Sequence, residues 1–339
     1  MNGIPERINN PTSLDFDYLQ NLINEGKSPI IQFVEPSYDE VLLKMLDKAC
    51  LQFGEQLEVR FYGHYGEVFD ASCLKFLPHV KNLSVDCLTE IVNEDEIIYL
   101  EHLSHLRLGI YNFDKTDFLS RLNKRNHLTL TVGDNNKNNL DLSSLNEFQS
   151  LRELCIVGHT KNIEVIGELT NLESLTLSKI SKKQSLDFIN KLKNLKQLQI
   201  ILGGRESIKE IVNPAIEKIE IIRVRGLAEL GDLARFPRLR TLHVEDQIKL
   251  KNLKFTPELN HLNEIKILNC KNLALIDGLS QLSKLDHLRI YGTSLDESSF
   301  IDQQLPSSLS VFAFYTGNNK KDKVIRQKLD DLGYMEFTD

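Results

Sequence analysis

The chain has no tryptophan, and cysteine is scarce, with five in 339 residues. Cys50, Cys73, Cys87, Cys155 and Cys270 are odd in number, widely spread and never spaced as CxxC. This usage argues against a zinc ribbon or a disulfide framework and is typical of a protein in a reducing cytosol. The absence of tryptophan beside abundant asparagine, lysine and isoleucine favours a bacterial source.

Long apolar runs and an excess of basic residues are also missing. No stretch of about 18 apolar residues occurs, which argues against a membrane span, and the segment 1–7 has no apolar run able to act as a secretory signal. We therefore expect a cytoplasmic protein. The formal charge of −7 disfavours nucleic acid as a partner, because a protein that binds phosphate backbones normally shows a basic excess.

A short apolar phrase recurs twelve times along the chain, in full or in part. Leu172-Glu-Ser-Leu175-Thr-Leu177 shows it: an aliphatic residue, two variable residues, a second aliphatic, one variable residue and a third aliphatic. The middle apolar residues of the copies are Leu57, Leu83, Leu106, Leu128, Leu154, Leu175, Leu198, Ile219, Leu242, Ile265, Leu288 and Phe312. Their mean spacing of about 23 residues is a period that indicates a repeat architecture.

Each phrase continues in strict alternation, as in Leu106-Arg-Leu108-Gly-Ile110, which is typical of a strand with one buried face. Linking segments of about 15 residues carry a second apolar set and allow a turn, a short helix and a return to the next strand. We therefore predict an α/β solenoid of about 12 repeats with a parallel sheet on its concave side and helical caps at both ends.

Over roughly residues 50–316 the chain resembles leucine-rich repeat proteins, and the repeat length is closest to the short bacterial, internalin-like class. The resemblance implies a horseshoe. That family usually places Asn or Cys three residues beyond the third aliphatic, where the side chain bonds backbone groups. Here Tyr111, His159, Gln247, Cys270 and Thr293 hold the position, so only Cys270 fits. We expect this ladder of polar side chains to be mostly absent.

No linker rich in Pro, Gly or Ser divides the chain, so we predict one solenoid domain, residues 1–339. Its predicted parts are an N-terminal helical cap over 1–28, leucine-rich repeats over 29–316 and a C-terminal cap over 317–339. A helix over 37–50 with Ser37 as N-cap is expected before the first phrase. A helix over 318–332 should close the chain, with Val324, Ile325 and Leu329 facing inward.

The residues between the aliphatics should point into the concavity, where they could contact a protein partner. Arg, Tyr and His are favoured at interfaces, and apolar residues join them in the later repeats. The candidate partner-binding residues are Arg107, His127, Gln199, Glu220, Ile222, Arg223, Arg240, His243, Glu245, Lys266, Leu268, His287, Arg289 and Tyr291. We predict a non-catalytic recognition scaffold that needs no cofactor. A stoichiometric inhibitor, such as an immunity protein covering a toxin or effector, suits it, and an adaptor or assembly subunit fits equally well.

Six arginines between Arg205 and Arg240 form a cluster with three interpretations. It is a solvated face offset by neighbouring glutamates, a docking patch for an acidic partner, or, against the overall charge, a nucleic-acid-binding patch over 223–240.

A cryptic enzymatic or regulatory site is the competing hypothesis. His105 and His127 are expected in one column of adjacent strands, where aligned imidazoles could bind a metal, but no third ligand completes the set. Cys155 near His159 could form a thiol nucleophile with a base, yet no orienting acid is evident. Gly203-Gly204 opens no phosphate-binding loop, because neither GK[ST] nor GxGxxG follows.

Overall fold

The computed structural model describes residues 4–64, 67–124, 127–136 and 139–336. The chain folds into two compact units, Met1–Asn171 and Leu172–Asp339. In each unit, aliphatic residues of the repeated phrase are buried, while most of the residues between them are partly exposed, as in a strand with one covered face.

Seven strands of the described first unit form a parallel sheet in the order β1-β2-β3-β5-β7-β8-β9, and β4 pairs with β6 in a separate two-stranded sheet. The strands and helices are, in chain order, β1 (Ile4–Asn9), α1 (Phe16–Asn24), β2 (Lys27–Phe33), α2 (Glu40–Phe53), β3 (Glu58–Tyr62), β4 (Phe69–Asp70), β5 (Asn82–Leu88), β6 (Ile91–Val92), α3 (Asp95–Ile98), β7 (His105–Ile110), α4 (Phe118–Arg121), β8 (Thr129–Val132) and β9 (Glu153–Val157). Short 3-10 helices occupy Gly54–Gln56, Ala71–Phe76, Ser143–Glu147 and Ile163–Glu168.

The second unit repeats this arrangement with seven parallel strands in the order β10-β11-β12-β13-β15-β17-β18, beside a β14-β16 pair. Its strands and helices are β10 (Ser174–Ser178), β11 (Gln197–Ile201), β12 (Lys218–Ile222), β13 (Thr241–Glu245), β14 (Asn252–Lys254), β15 (Glu264–Leu268), β16 (Leu275–Asp277), β17 (His287–Tyr291), α5 (Glu297–Asp302), β18 (Val311–Tyr315) and α6 (Asn319–Asp331). Its 3-10 helices are Asp187–Lys191, Leu233–Arg235 and Leu279–Gln281.

The strand register confirms the repeat and corrects two of its predicted markers. Ten of the twelve predicted middle residues lie on the strands at matching positions, at spacings of 21 to 24 residues between paired strands. In the other two repeats, Val59 pairs with Leu83 and Leu130 pairs with Leu106, so Leu57 and Leu128 precede their strands and the predicted markers there are wrong by two residues. The parallel pairing and the buried phrase together give the predicted leucine-rich repeat solenoid fold.

A strand precedes the predicted N-terminal helix. α1 falls within the predicted N-terminal cap, but β1 precedes it and pairs with β2 from Ile4↔Lys27 to Asn9↔Gln32. α2 begins at Glu40, and its N-cap is Asp39, whose carboxylate accepts a 2.8 Å bond from Leu42 N. The prediction of Ser37 as N-cap is wrong. The boundaries at residues 28 and 317 and the single-domain assignment stay predictions.

The closing helix α6 matches the predicted position but not all of the predicted burial. Ile325 and Leu329 are buried as expected, whereas Val324 is 71% exposed. The Asn318 side chain caps the helix by accepting from the backbone N–H groups of Lys320 and Lys321 at 3.0 and 3.3 Å. Met335 forms an isolated parallel bridge with Val311.

Buried polar side chains bond the backbone after several strands, contrary to the expectation of an absent ladder. His159 Nδ1 accepts from Leu140 N at 3.1 Å, and its Nε2 lies 2.9 Å from the Gly133 carbonyl. Gln247 Nε2 donates to the Glu245 carbonyl at 2.7 Å. Cys270 Sγ lies 3.5 Å from the Leu268 carbonyl oxygen. His159, Gln247 and Cys270 thus each place a polar atom against a backbone carbonyl near the end of a strand.

Candidate protein-binding face

The second unit presents one sheet face most of whose side chains are accessible, and we call it the open face; Ser178, Val311 and Ala313 on this face are buried. It consists of alternate residues of β10 to β13, β15, β17 and β18, the ones between the buried aliphatics. Parallel pairing in register aligns these residues into three rows across the strands. The sheet backbone fixes the rows, so the face is organised before any partner arrives.

The middle row of the open face is a chain of polar and charged groups. Thr176 Oγ1 donates to Gln199 Oε1 at 2.9 Å, and Gln199 Nε2 in turn donates to Glu220 Oε2. His243 lies between two carboxylates, with Nδ1 3.5 Å from Glu220 Oε1 and Nε2 3.2 Å from Glu245 Oε2. These contacts span four adjacent strands and hold the side chains in fixed positions.

Glu220 is the electrostatic centre of this row. The hydrogen bond from His243 is the largest of the effects that lower the pKa of Glu220 to about 2, opposed by burial and helped by Lys218, whose Nζ lies 3.3 Å away. The carboxylate is therefore ionised at all physiological pH values. A half-buried carboxylate held in this way is a fixed acceptor for a donor on a partner.

The row next to it is apolar over most of its length. Ile201, Ile222 and Leu268 are half-buried, and Tyr291 is 38% exposed. Apolar and aromatic side chains beside a row of polar and charged groups resemble the composition of interface cores, where Tyr is enriched. The open face thus combines an apolar strip with oriented charges.

Most predicted residues of the second unit lie on the open face as expected. The residues placed there are Gln199, Glu220, Ile222, His243, Glu245, Lys266, Leu268, His287, Arg289 and Tyr291. Arg223 and Arg240 do not, and their assignment to this face is corrected. Arg223 follows the last residue of β12 with a left-handed φ of 54°, and Arg240 precedes β13 and pairs with Glu217 at 3.4 Å.

In the first unit, Arg107 lies on the corresponding sheet face of β7, with its side chain 54% exposed and 3.9 Å from Asp86. His127 does not lie there. It precedes β8 and is 1% exposed with its ring packed on Phe148, and His105 pairs instead with Thr129. The predicted His105–His127 column is therefore wrong.

A network centred on Arg60 in the first unit was missed from the sequence. Arg60 bonds Asp86 through Nε at 2.8 Å and Nη2 at 3.2 Å, and its guanidinium stacks 4.5 Å from the Tyr62 ring. Its Nη1 also donates to Gln32 at 3.2 Å. The alternation in Glu58-Val59-Arg60-Phe61-Tyr62 could have revealed it, because that pattern places Arg60 and Tyr62 on the same face.

His159 and Cys155, the candidate enzymatic pair, have structural surroundings that disfavour catalysis. Both ring nitrogens of His159 contact backbone groups, and burial raises the pKa of the Cys155 thiol, which disfavours the thiolate. Within residues 4–64, 67–124, 127–136 and 139–336 no cluster of three His, Cys, Asp or Glu side chains could hold a metal ion. No helix in that part of the chain is both long and apolar enough to cross a membrane.

No protein-family model matches the chain, and no curated protein matches it. Solved structures do. An internalin (inlF) of Listeria monocytogenes is 15% identical with a TM-score of 0.47, covering 84% of this chain and 86% of that one. A leucine-rich repeat protein of Leptospira interrogans is 16% identical with a TM-score of 0.38, covering 84% of this chain and 90% of that one. Internalin C2 (inlC2) of L. monocytogenes is 16% identical with a TM-score of 0.32, covering 72% and 83%. At these values none of the similarities bears on what this chain binds, and the fold rests on its own repeat register.

Proposed function

We propose that the chain is a protein-recognition scaffold and that its partner binds the open face of the second unit. The observation that carries this proposal is the pairing of two rows: Ile201, Ile222, Leu268 and Tyr291 beside the bonded row through Glu220 and His243. The apolar row supplies area to bury, and the polar row supplies directional contacts. Because the folded sheet already orders both rows, little further conformational entropy is lost when a partner binds.

Within this role we favour a stoichiometric inhibitor, such as an immunity protein that covers a toxin or effector in the cytoplasm. An adaptor or assembly subunit is the second form of the same function. The two differ in consequence: an inhibitor abolishes its partner's activity in a 1:1 complex, whereas an adaptor leaves that activity intact. An assay of the captured partner with and without this chain separates them.

The test is partner capture from extracts of the source cell with a face variant carrying Ile222→Glu and Leu268→Glu. Two buried charges in the contact should weaken the purified complex at least a hundredfold. The matched control carries Ile248→Glu and Leu275→Glu, which change the same residue types at positions 66% and 57% exposed and off the open face. We expect the control to bind within threefold of the wild type, with both variants equally folded by circular dichroism. Equal binding by the two variants would refute the proposal.

A further inference from the structure

A groove of about 1130 Å³ opens in the second unit where β10, β11 and β12 end. Gly203, Gly204 and Gly226 contribute bare backbone to it. A Cβ on Gly203 would lie 2.4 Å from the Ile180 carbonyl oxygen, and the φ values of Gly203 and Gly226 are +70° and +92°. Glycine is thus required at Gly203, where a Cβ would press on the Ile180 backbone, and the three glycines leave their stretch of the lining without side chains.

Five exposed cations line the groove: Lys179, Lys182, Arg223, Arg225 and Lys249. Arg223 Nε lies 2.6 Å from Asp246, yet the Arg223 side chain stays 63% exposed and keeps its terminal nitrogens for other partners. Among the described residues, Lys182, Arg225 and Lys249 make no ion pair. The groove therefore has cationic groups in excess of those it uses internally.

Two carboxylates, Glu206 and Glu229, share the lining. Lys209 holds Glu229 at 2.7 Å from outside the groove, so part of that negative charge is compensated. The remaining balance is basic, on a chain whose total charge is −7. Such a local reversal of charge favours an anionic ligand.

The six arginines between Arg205 and Arg240 lie in different structural environments. Arg205 is buried and bonded to Glu210 at 2.7 Å, Arg235 is half-buried over the Phe236 ring, and Arg240 pairs with Glu217. Only Arg223 and Arg225 of the six combine exposure with a place in the groove.

We propose that this groove, distinct from the open face, binds an acidic segment of a protein partner in extended conformation. Its Asp and Glu carboxylates would pair with Arg223, Arg225, Lys182 and Lys249, and its backbone would run over the glycines. A polypeptide fits better than a nucleic acid, because an extended peptide can lay an uncharged backbone over the glycines, whereas a nucleic acid carries its charge on the backbone itself.

The experiment measures fluorescence anisotropy of a labelled peptide of eight glutamates on the full chain at low and physiological salt, beside its eight-glutamine counterpart and a DNA single strand of equal charge. We expect the glutamate peptide to bind, the glutamine peptide not to, and DNA to bind at least tenfold more weakly. Arg223→Glu with Arg225→Glu should weaken glutamate binding at least tenfold. Arg238→Glu with Lys271→Glu makes the same charge change at exposed positions outside the groove and should cost less than threefold.

A second variant separates the groove from simple charge attraction. Gly204→Leu keeps every charge, and a Cβ there would meet only the Arg225 carbonyl oxygen, at 3.4 Å, so the side chain can enter the groove. Weaker peptide binding by this variant, with unchanged thermal unfolding, supports the site. No binding of the glutamate peptide, equal losses in the two charge-reversed variants, full binding by Gly204→Leu, or DNA binding as tight as peptide would each overturn it.

Discussion

At the residue scale, His127 was predicted on the partner-binding face but is buried, and its burial changes its pKa. Burial, and next the nearby His105, lowers the pKa of His127 from 6.5 to about 4. Its Nδ1 has no hydrogen-bond partner among the described residues, which fits a neutral imidazole packed on Phe148. His127 is therefore a core residue of the first unit, and no role in partner contact follows from it.

The burial of His127 predicts that the free energy of unfolding decreases as the pH falls. The unfolded chain binds a proton at His127 below about pH 6.5, whereas the folded chain does so only near pH 4, so stability is full above pH 6.5 and falls between these values. The loss is about 3 kcal/mol at most. Urea unfolding at pH 7.5 and 4.5 should show a smaller loss for His127→Leu than for the wild type.

The exposed His261 provides the control for that measurement. His261→Gln should lose stability in parallel with the wild type as the pH falls. If His127→Leu did so as well, the His127 imidazole would not be the group responsible.

At the element scale, most strands could be predicted from the repeated phrase, but β8 shows why its register could not. Leu128, Leu130 and Val132 alternate, so a shift of two residues keeps the same side chains on the same face. Pairing of Leu130 with Leu106 and Leu154 fixes the choice, and those contacts come from neighbouring repeats. The Arg60 network was missed for a related reason, since its partners lie 26 and 28 residues away along the chain.

The burial of α6 was harder to predict than its position. The stripe of Ile325 and Leu329 was foreseeable from their spacing, whereas Val324 belongs to neither the stripe nor the core and is exposed. A helix covers the core with one face only, and spacing alone leaves a residue at the border of that face undecided.

The Asn318 cap predicts a measurable contribution to α6. Asn318→Ala should destabilise the helix by about 1 kcal/mol because two backbone N–H groups lose their acceptor, and Asn318→Asp should preserve it. Hydrogen exchange of the α6 amides should quicken about fivefold in the alanine variant. Unchanged exchange in that variant would show that the cap does not limit opening of the helix.

At the scale of the whole molecule, the outer edge of β1 matters because no described strand lies beside it. Exposed strand edges invite pairing with another chain, and Pro5, Glu6 and Arg7 lie on β1, where a missing amide and charges discourage it. β2 behind it is buried from Pro29 to Phe33, and beyond Lys27 and Pro29 its residues Ile30 to Phe33 carry neither a charge nor a missing amide.

Deleting residues 1–9 should therefore cause self-association. The shortened chain exposes the β2 edge, and light scattering coupled to gel filtration should detect oligomers or aggregates at concentrations where the full chain shows none. Deleting residues 1–3 alone keeps β1 and serves as the control. Identical elution of both shortened chains would contradict the protective role of β1.

A residue with a left-handed backbone conformation follows most strands of the large sheet in the second unit. Lys179, Leu202, Arg223, Asp246 and Asn269 each reverse the chain directly after a strand. Repeat lengths of 21 to 24 residues nevertheless leave the three rows in register. The linking segments thus absorb the variation in repeat length. Residues of the open face can therefore be exchanged one strand at a time while the buried aliphatic residues behind them stay the same.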